Sequence, residues 1–199
     1  MSTFQTRVED YLTATVTDTT SLTDQLSAGA KYLIDLLPEE KAIAHTTTGT
    51  DNGITGVDVS ASRVFGAYKS GYRAIPLNPD EYARYVDSNS RFFGTATTPV
   101  YYILNGTLFI KPGGGTARII AYPTVLYSAS SITGFPTEWE QAVVLYAAIQ
   151  QVLSFLNYNT YLATNKDIEL AQEERQRLQL QLEALEKQFK AILITIGIK

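Results

Sequence analysis

The sequence predicts an α+β fold: a helical bundle, made of an N-terminal helix and a long C-terminal helical hairpin, with a small antiparallel β-subdomain inserted. Three observations lead there. Apolar residues recur at helical spacing near both ends of the chain. The period changes to two through the middle, around an Asn105-Gly106 pair flanked by β-prone runs. A strongly apolar helical stretch, FPTEWEQAVVLYAAIQQVLSFL, then follows the β-unit directly. The corresponding parts are residues 1–50 (N-terminal helical part), 51–135 (inserted β-rich subdomain) and 136–199 (C-terminal helical hairpin and docking tail).

Phe4, Val8 and Leu12 lie four apart and predict a short first helix. The threonine-rich stretch from Thr13 to Thr23 reads as loop, because hydroxyl and β-branched side chains disfavour helix. Leu22, Leu26, Ala30, Leu33, Ile34 and Leu37 form one apolar helical face, with Ser21 or Thr23 as its cap. Pro38 ends that helix, since a residue before proline avoids the helical region. Glu39 to His45 continues as a short second helix, and Thr46 to Gly56 is turn-rich.

Val57, Val59, Val64, Ala67, Tyr68, Tyr72 and Ile75 fall in short segments broken by serines and glycine, a β-hairpin or meander. Asn78-Pro79-Asp80-Glu81 is a helix start, with proline in the first turn. The short helix Pro79 to Val86 presents Tyr82 and either Tyr85 or Val86. Ser88 to Thr98 is loop. Val100–Leu104 and Thr107–Lys111 flank Asn105-Gly106, whose type I′ turn requires positive φ at both residues. Pro112 to Gly115 reads as the next hairpin turn, and Ala117 to Tyr122 as a third strand. Several short strands with regular turns point to a small sandwich or barrel.

Thr137 and Glu140 have capping-box spacing, and Phe135 is placed to staple the helix entry near Trp139 or Ala142. The helix Glu138 to Leu156 is apolar nearly all round, so it is expected to be buried by several neighbours. At about 1.5–3 kcal/mol per fully buried large side chain, it is the main expected source of stability. Asn157 to Thr164 reads as a turn. In the helix Lys166 to Ile194, Leu178, Leu182, Leu185, Phe189 and Ile192 alternate steps of four and three, a heptad seam that Ile168, Ala171 and Arg175 extend. That seam serves either an αα-hairpin within the chain or a neighbouring subunit. Ile192 to Ile198 reads as an apolar, β-like tail that docks on its own core or on a partner.

Composition narrows the chemistry. The chain has 199 residues, is 45% hydrophobic and carries a formal charge of -4, so no global basic excess marks a nucleic-acid binder. It has no cysteine, which excludes disulfides and thiolate metal sites. His45 is the one histidine, so a multi-histidine metal site within the chain is excluded. The opening residues lack a basic region followed by an apolar run and do not read as a signal peptide. No apolar run has the length of a membrane span. Thirteen tyrosines stand against one tryptophan; such rings suit either half-buried strand positions or protein interfaces.

Individual residues offer little reactive chemistry. Lys111-Pro112-Gly113-Gly114-Gly115-Thr116 lacks the Gly-Lys-Ser/Thr ending of a phosphate loop and leads into a strand, where no helix N-terminus supplies amides. His45 beside Thr46 to Thr48 has no signposted carboxylate or oxyanion hole, and reads as a surface or capping residue. Asp51, Asp58, Asp80 and Glu81 lack the fixed spacing of a calcium loop. Tyr101, Tyr102, Phe109, Tyr122 and Tyr127 are either core and interface residues or a sugar-stacking platform. No catalytic, cofactor or metal residues are assigned, and the reading is not an enzyme.

The order of elements, with PVYYILNGTLFIKPGGGTARIIAYP followed by FPTEWEQAVVLYAAIQQVLSFL, resembles the head–tail connector or adaptor proteins of tailed bacteriophages, in particular the neck adaptors of short-tailed phages. LTDQLSAGAKYLIDLLPEEK is similar to their opening helix. The likeness spans about Leu22 to Leu178. It implies a helical bundle with a β-rich insertion, a homo-oligomeric and usually dodecameric ring between portal and tail, and no cofactor. The implied partners are further copies, the portal protein and a tail or nozzle protein, with non-specific proximity to packaged DNA and no membrane. The implied location is the virion neck, after synthesis in the host cytoplasm.

The resemblance makes Gln179 to Lys199 the portal-docking tail, through Leu182, Leu185, Phe189, Ile192, Leu193, Ile194, Ile196 and Ile198. It makes the hairpin at Asn105-Gly106, with Tyr102 and Lys111, a tail-side or ring contact tip. The competing expectations are another neck, baseplate or tail-completion component, and a carbohydrate-binding module using the tyrosine-rich sheet.

Overall fold

A computed structural model describes residues 2–12, 15–87, 89–90, 93–162 and 168–198. Parts of the expected Thr13–Thr23 and Ser88–Thr98 loops, of the Asn157–Thr164 turn and of the Lys166–Ile194 helix lie outside the described residues. In chain order the elements are α1 (Phe4–Glu9), α2 (Thr19–Leu36), α3 (Glu39–Ala42), β1 (Thr47–Asp51), β2 (Val57–Asp58), β3 (Ser62–Lys69), β4 (Tyr72–Arg73), β5 (Ile75–Pro76), α4 (Tyr82–Val86), β6 (Val100–Leu104), β7 (Thr107–Lys111), β8 (Gly115–Ala121), α5 (Thr137–Leu162) and α6 (Ile168–Thr195). The fold is α+β, as the sequence predicts. The chain divides into two compact units, Leu37–Tyr122 and the two flanking stretches Met1–Leu36 with Pro123–Lys199.

The flanking stretches make the helical unit. Its centre is α5, with α1, α2 and α6 packed against it. Trp139, Ala142, Val143, Val144, Leu145, Ala147, Ala148 and Val152 are all buried, as an all-round apolar helix requires. α2 begins at Thr19 and not at Leu22, because Asp18 is its cap: the Asp18 carboxylate accepts the Ser21 amide at 3.0 Å. Neither Ser21 nor Thr23 holds that position. The α1 segment is anchored by Phe4 and Val8, both fully buried. Its amides at Phe4 and Gln5 donate to the carbonyls of Ala129 and Tyr127.

Two expectations about α5 change. The capping box does not form, because the Glu140 carboxylate turns away from its own helix start and accepts the Ile132 amide at 2.8 Å and the Arg7 guanidinium at 3.2 Å. The aromatic contact at the entry does form: Phe135 and Trp139 meet edge-on with centroids 5.6 Å apart. The expected turn at Asn157 is absent, and the helix runs on to Leu162.

The β-unit is two four-stranded sheets, ordered β1-β8-β3-β4 and β2-β7-β6-β5. Both contribute to one core of Val57, Val59, Ala67, Ala74, Leu108, Ile110 and Ala117, so the architecture is a small sandwich. All pairings are antiparallel except β5 with β6, a two-residue parallel contact. The Asn105-Gly106 turn has φ of 50° and 76°, as a two-residue hairpin requires. The Pro112–Gly114 turn is not a hairpin. β7 pairs with β2 and β6, whereas β8 pairs with β1 and β3, so this turn carries the chain from one sheet to the other.

Candidate docking surfaces

The heptad seam of α6 faces its own unit. Leu178 and Leu185 are buried, and Leu182, Phe189 and Ile192 are half-buried. Phe189 joins Tyr32 of α2 and Tyr146 of α5 in a three-ring cluster, with Tyr32 and Tyr146 stacked at 5.5 Å and Phe189 at 6.3 Å from each. Gln181 donates to the Tyr11 carbonyl at 2.5 Å, which fastens α6 to the segment after α1. The seam is therefore the inner face of an αα-hairpin.

The tail after α6 is not β-like. Helix persists to Thr195 and closes in a Schellman arrangement: the Ile198 amide donates to Leu193 at 2.8 Å and the Gly197 amide to Ile194 at 2.9 Å, with Gly197 at φ 76°. Ile196 and Ile198 are buried in this closure. Of the eight residues expected to dock on a portal, Leu185, Ile196 and Ile198 are thus taken up by the chain's own packing. Leu182, Phe189, Ile192 and Leu193 are partly covered, and Ile194 alone is exposed. The residue period locates a seam; it does not say which helix fills it.

The second expected contact region is divided. Asn105 is exposed at the hairpin tip, while Gly106 sits against Ser60 and its carbonyl accepts the Val59 amide at 2.8 Å. Tyr102 is no contact tip. It is 6% exposed, stacked on Phe109 at 5.2 Å and met edge-on by Tyr82 at 4.3 Å. Burial, and then the hydrogen bond with Tyr82, push its phenol well above the usual tyrosine range. The Lys111 ammonium donates to the Gly53 carbonyl at 3.1 Å.

Within the β-unit the rings of the expected tyrosine platform are divided. Tyr101 points into the sandwich core, whereas Tyr102 and Phe109 lie on the other face of their sheet with Leu77, Val100 and Tyr85. Tyr127 belongs to the helical unit. Strand alternation separates Tyr101 from Tyr102 and Phe109, and Tyr82 meets Tyr102 over that second face.

The carboxylates serve the backbone. Asp51 is 3% exposed and accepts the Ile110 amide at 2.6 Å and the Gly53 amide at 2.7 Å. Asp58 accepts the amide and hydroxyl of Ser60, contacts that hold its carboxyl below the usual range. Asp80 and Glu81 lie in a 3₁₀ turn. Among the described residues no three acidic or histidine side chains converge on a metal position. His45 ends the 3₁₀ turn Ile43–His45. The glycine-rich turn meets β8, so no helix dipole stands behind it.

One surface escaped the sequence reading. Leu180, Ala184, Lys187, Ala191 and Ile194 are all exposed on α6 and repeat steps of four and three, displaced by two residues from the inner seam. The same heptad arithmetic, started at Leu180, finds it. No protein-family model matches the chain, and a search of curated proteins finds no match.

Proposed function

We propose that the chain is a structural virion protein, a head-to-tail adaptor that forms a ring beneath the portal, joins the tail or nozzle protein and lines the DNA exit channel at the neck. The observation that supports this reading is the element order. Both flanks of the chain build one helical unit, and a β-sandwich is inserted between them, which is the architecture that the adaptor resemblance implies. Among the described residues no helix is long and apolar enough to cross a membrane. In this reading the portal contact falls to groups left outside both the hairpin seam and the outward stripe of α6, and the tail contact to Asn105 at the sandwich tip.

The test is the particle mass of the purified protein, alone and mixed with a candidate portal. A closed ring of about a dozen copies, alone or on the portal, is the expected result. A strict monomer indifferent to the portal overturns the reading.

A further inference from the structure

The outward stripe of α6 is the least explained surface of the helical unit. Its two ends, Leu180 and Ile194, are 67% and 71% exposed. They stand about 21 Å apart along the helix, at 1.5 Å per residue. Between them the stripe carries Ala184 and Ala191, which allow close approach, and Lys187. A two-residue displacement is about 200° around a helix, so this stripe lies opposite the seam that packs on α5. Glu183 and Lys190 flank it on one side, seven residues apart. Among the described residues, Glu183, Lys187 and Lys190 take part in no ion pair.

We propose that this stripe is a self-association surface, and that its occupant is the same helix of a second copy, running antiparallel across a two-fold axis. Charge selects the occupant and the direction. In an antiparallel pair, flanking positions of the same kind face each other. Glu183 then meets Lys190 of the second copy, and symmetry repeats the pair. A parallel pair sets Glu183 against the uncharged Gln188. The antiparallel register also seats Leu180 beside Ala191 of the second copy, large against small. Lys187 falls beside Ala184, and a lone lysine on a seam fixes register.

This inference does not rest on the ring reading. A cyclic ring joins unlike surfaces head to tail, whereas a two-fold contact joins like ones. The contact yields a dimer in solution or ties two larger assemblies together.

Sedimentation equilibrium of the full chain over a concentration series tests it, with circular dichroism to confirm that each variant is folded. The apparent mass is expected to rise from 21.9 kDa towards twice that value. Glu183→Lys replaces two attractions by two repulsions and is expected to weaken association about tenfold. Adding Lys190→Glu restores complementarity and is expected to recover it. Leu180→Asp, which sets a charge against Ala191 of the second copy, is expected to abolish it. A wild-type chain that stays monomeric overturns the proposal, as does a double charge swap no stronger than the single. A ring whose mass ignores all of these substitutions overturns it and leaves the adaptor reading standing. Loss of portal recognition with the dimer intact does the reverse.

Discussion

Arg7 of α1 and Glu140 of α5 form an ion pair at 3.2 Å, and the other oxygen of the same carboxylate takes the Ile132 amide at 2.8 Å. One side chain thus closes two connections at the head of the helical unit. Glu140 is 3% exposed, so its partners have little water to fall back on.

Removing that carboxylate is expected to be costly. Glu140→Ala leaves the Ile132 amide unsatisfied and should destabilise the helical unit by about 1–3 kcal/mol. Urea unfolding of Glu140→Ala, Arg7→Met and the double variant measures the coupling. An additive result would mean that the two residues act independently.

Asp51 holds the turn regions of the β-unit through backbone amides at Ile110 and Gly53. Asp51→Ala strands both donors and is expected to cost about 1–3 kcal/mol. The local readout is hydrogen exchange, in which the Ile110 amide should lose protection before the amides of α5 do. Unchanged exchange at Ile110 would remove this role.

Tyr102 gives the β-unit an alkaline limit. Its phenol is raised by burial first and by the Tyr82 hydrogen bond second. A raised value in the folded state means that stability is fully present below the unfolded tyrosine value of about 10 and falls as pH climbs above it. Tyrosinate absorbance should show an ionisation above the usual tyrosine range that Tyr102→Phe removes. Tyr102→Phe should flatten the loss of stability above that pH.

The two faces of α6 should respond oppositely to a charge. Leu185 is buried on the inner seam, and Leu185→Asp is expected to cost about 3 kcal/mol or more by burying an unpaired carboxylate. Ile194 is exposed, and Ile194→Asp should leave the thermal midpoint of the monomer within the range of a surface change, about 0.5 kcal/mol. Equal losses at the two sites would contradict the assigned faces.

What the sequence revealed depended on how local the deciding contact was. Asn105-Gly106 needs only its own backbone geometry, and the hairpin lies where those two residues put it. The apolar wrapping of α5 was equally plain in its composition. Glu140 misled because its spacing from Thr137 satisfies a local rule, while Arg7, far away in sequence, and Ile132 compete for the same oxygens. The threonines at Thr19 and Thr20 disfavour helix individually, yet the Asp18 cap and the buried Leu22 and Leu26 carry them into α2. The glycine-rich turn looked like a hairpin because the sheet that receives β8 is completed by β1 and β3, strands far back in the chain. The buried role of Asp51 is not legible in the sequence, since the Ile110 amide that it accepts lies 59 residues further on.

The insertion of the β-sandwich between two helical flanks also sets an order of events during synthesis. The eight strands are all synthesised once Ala121 is made, whereas α2 must wait for α5 before its apolar face is covered. The middle of the chain can therefore close its core while the helix translated before it still has none. Nascent chains halted far enough along α5 for Tyr122 to have cleared the exit tunnel should hold a protease-resistant sandwich beside an unprotected N-terminal segment.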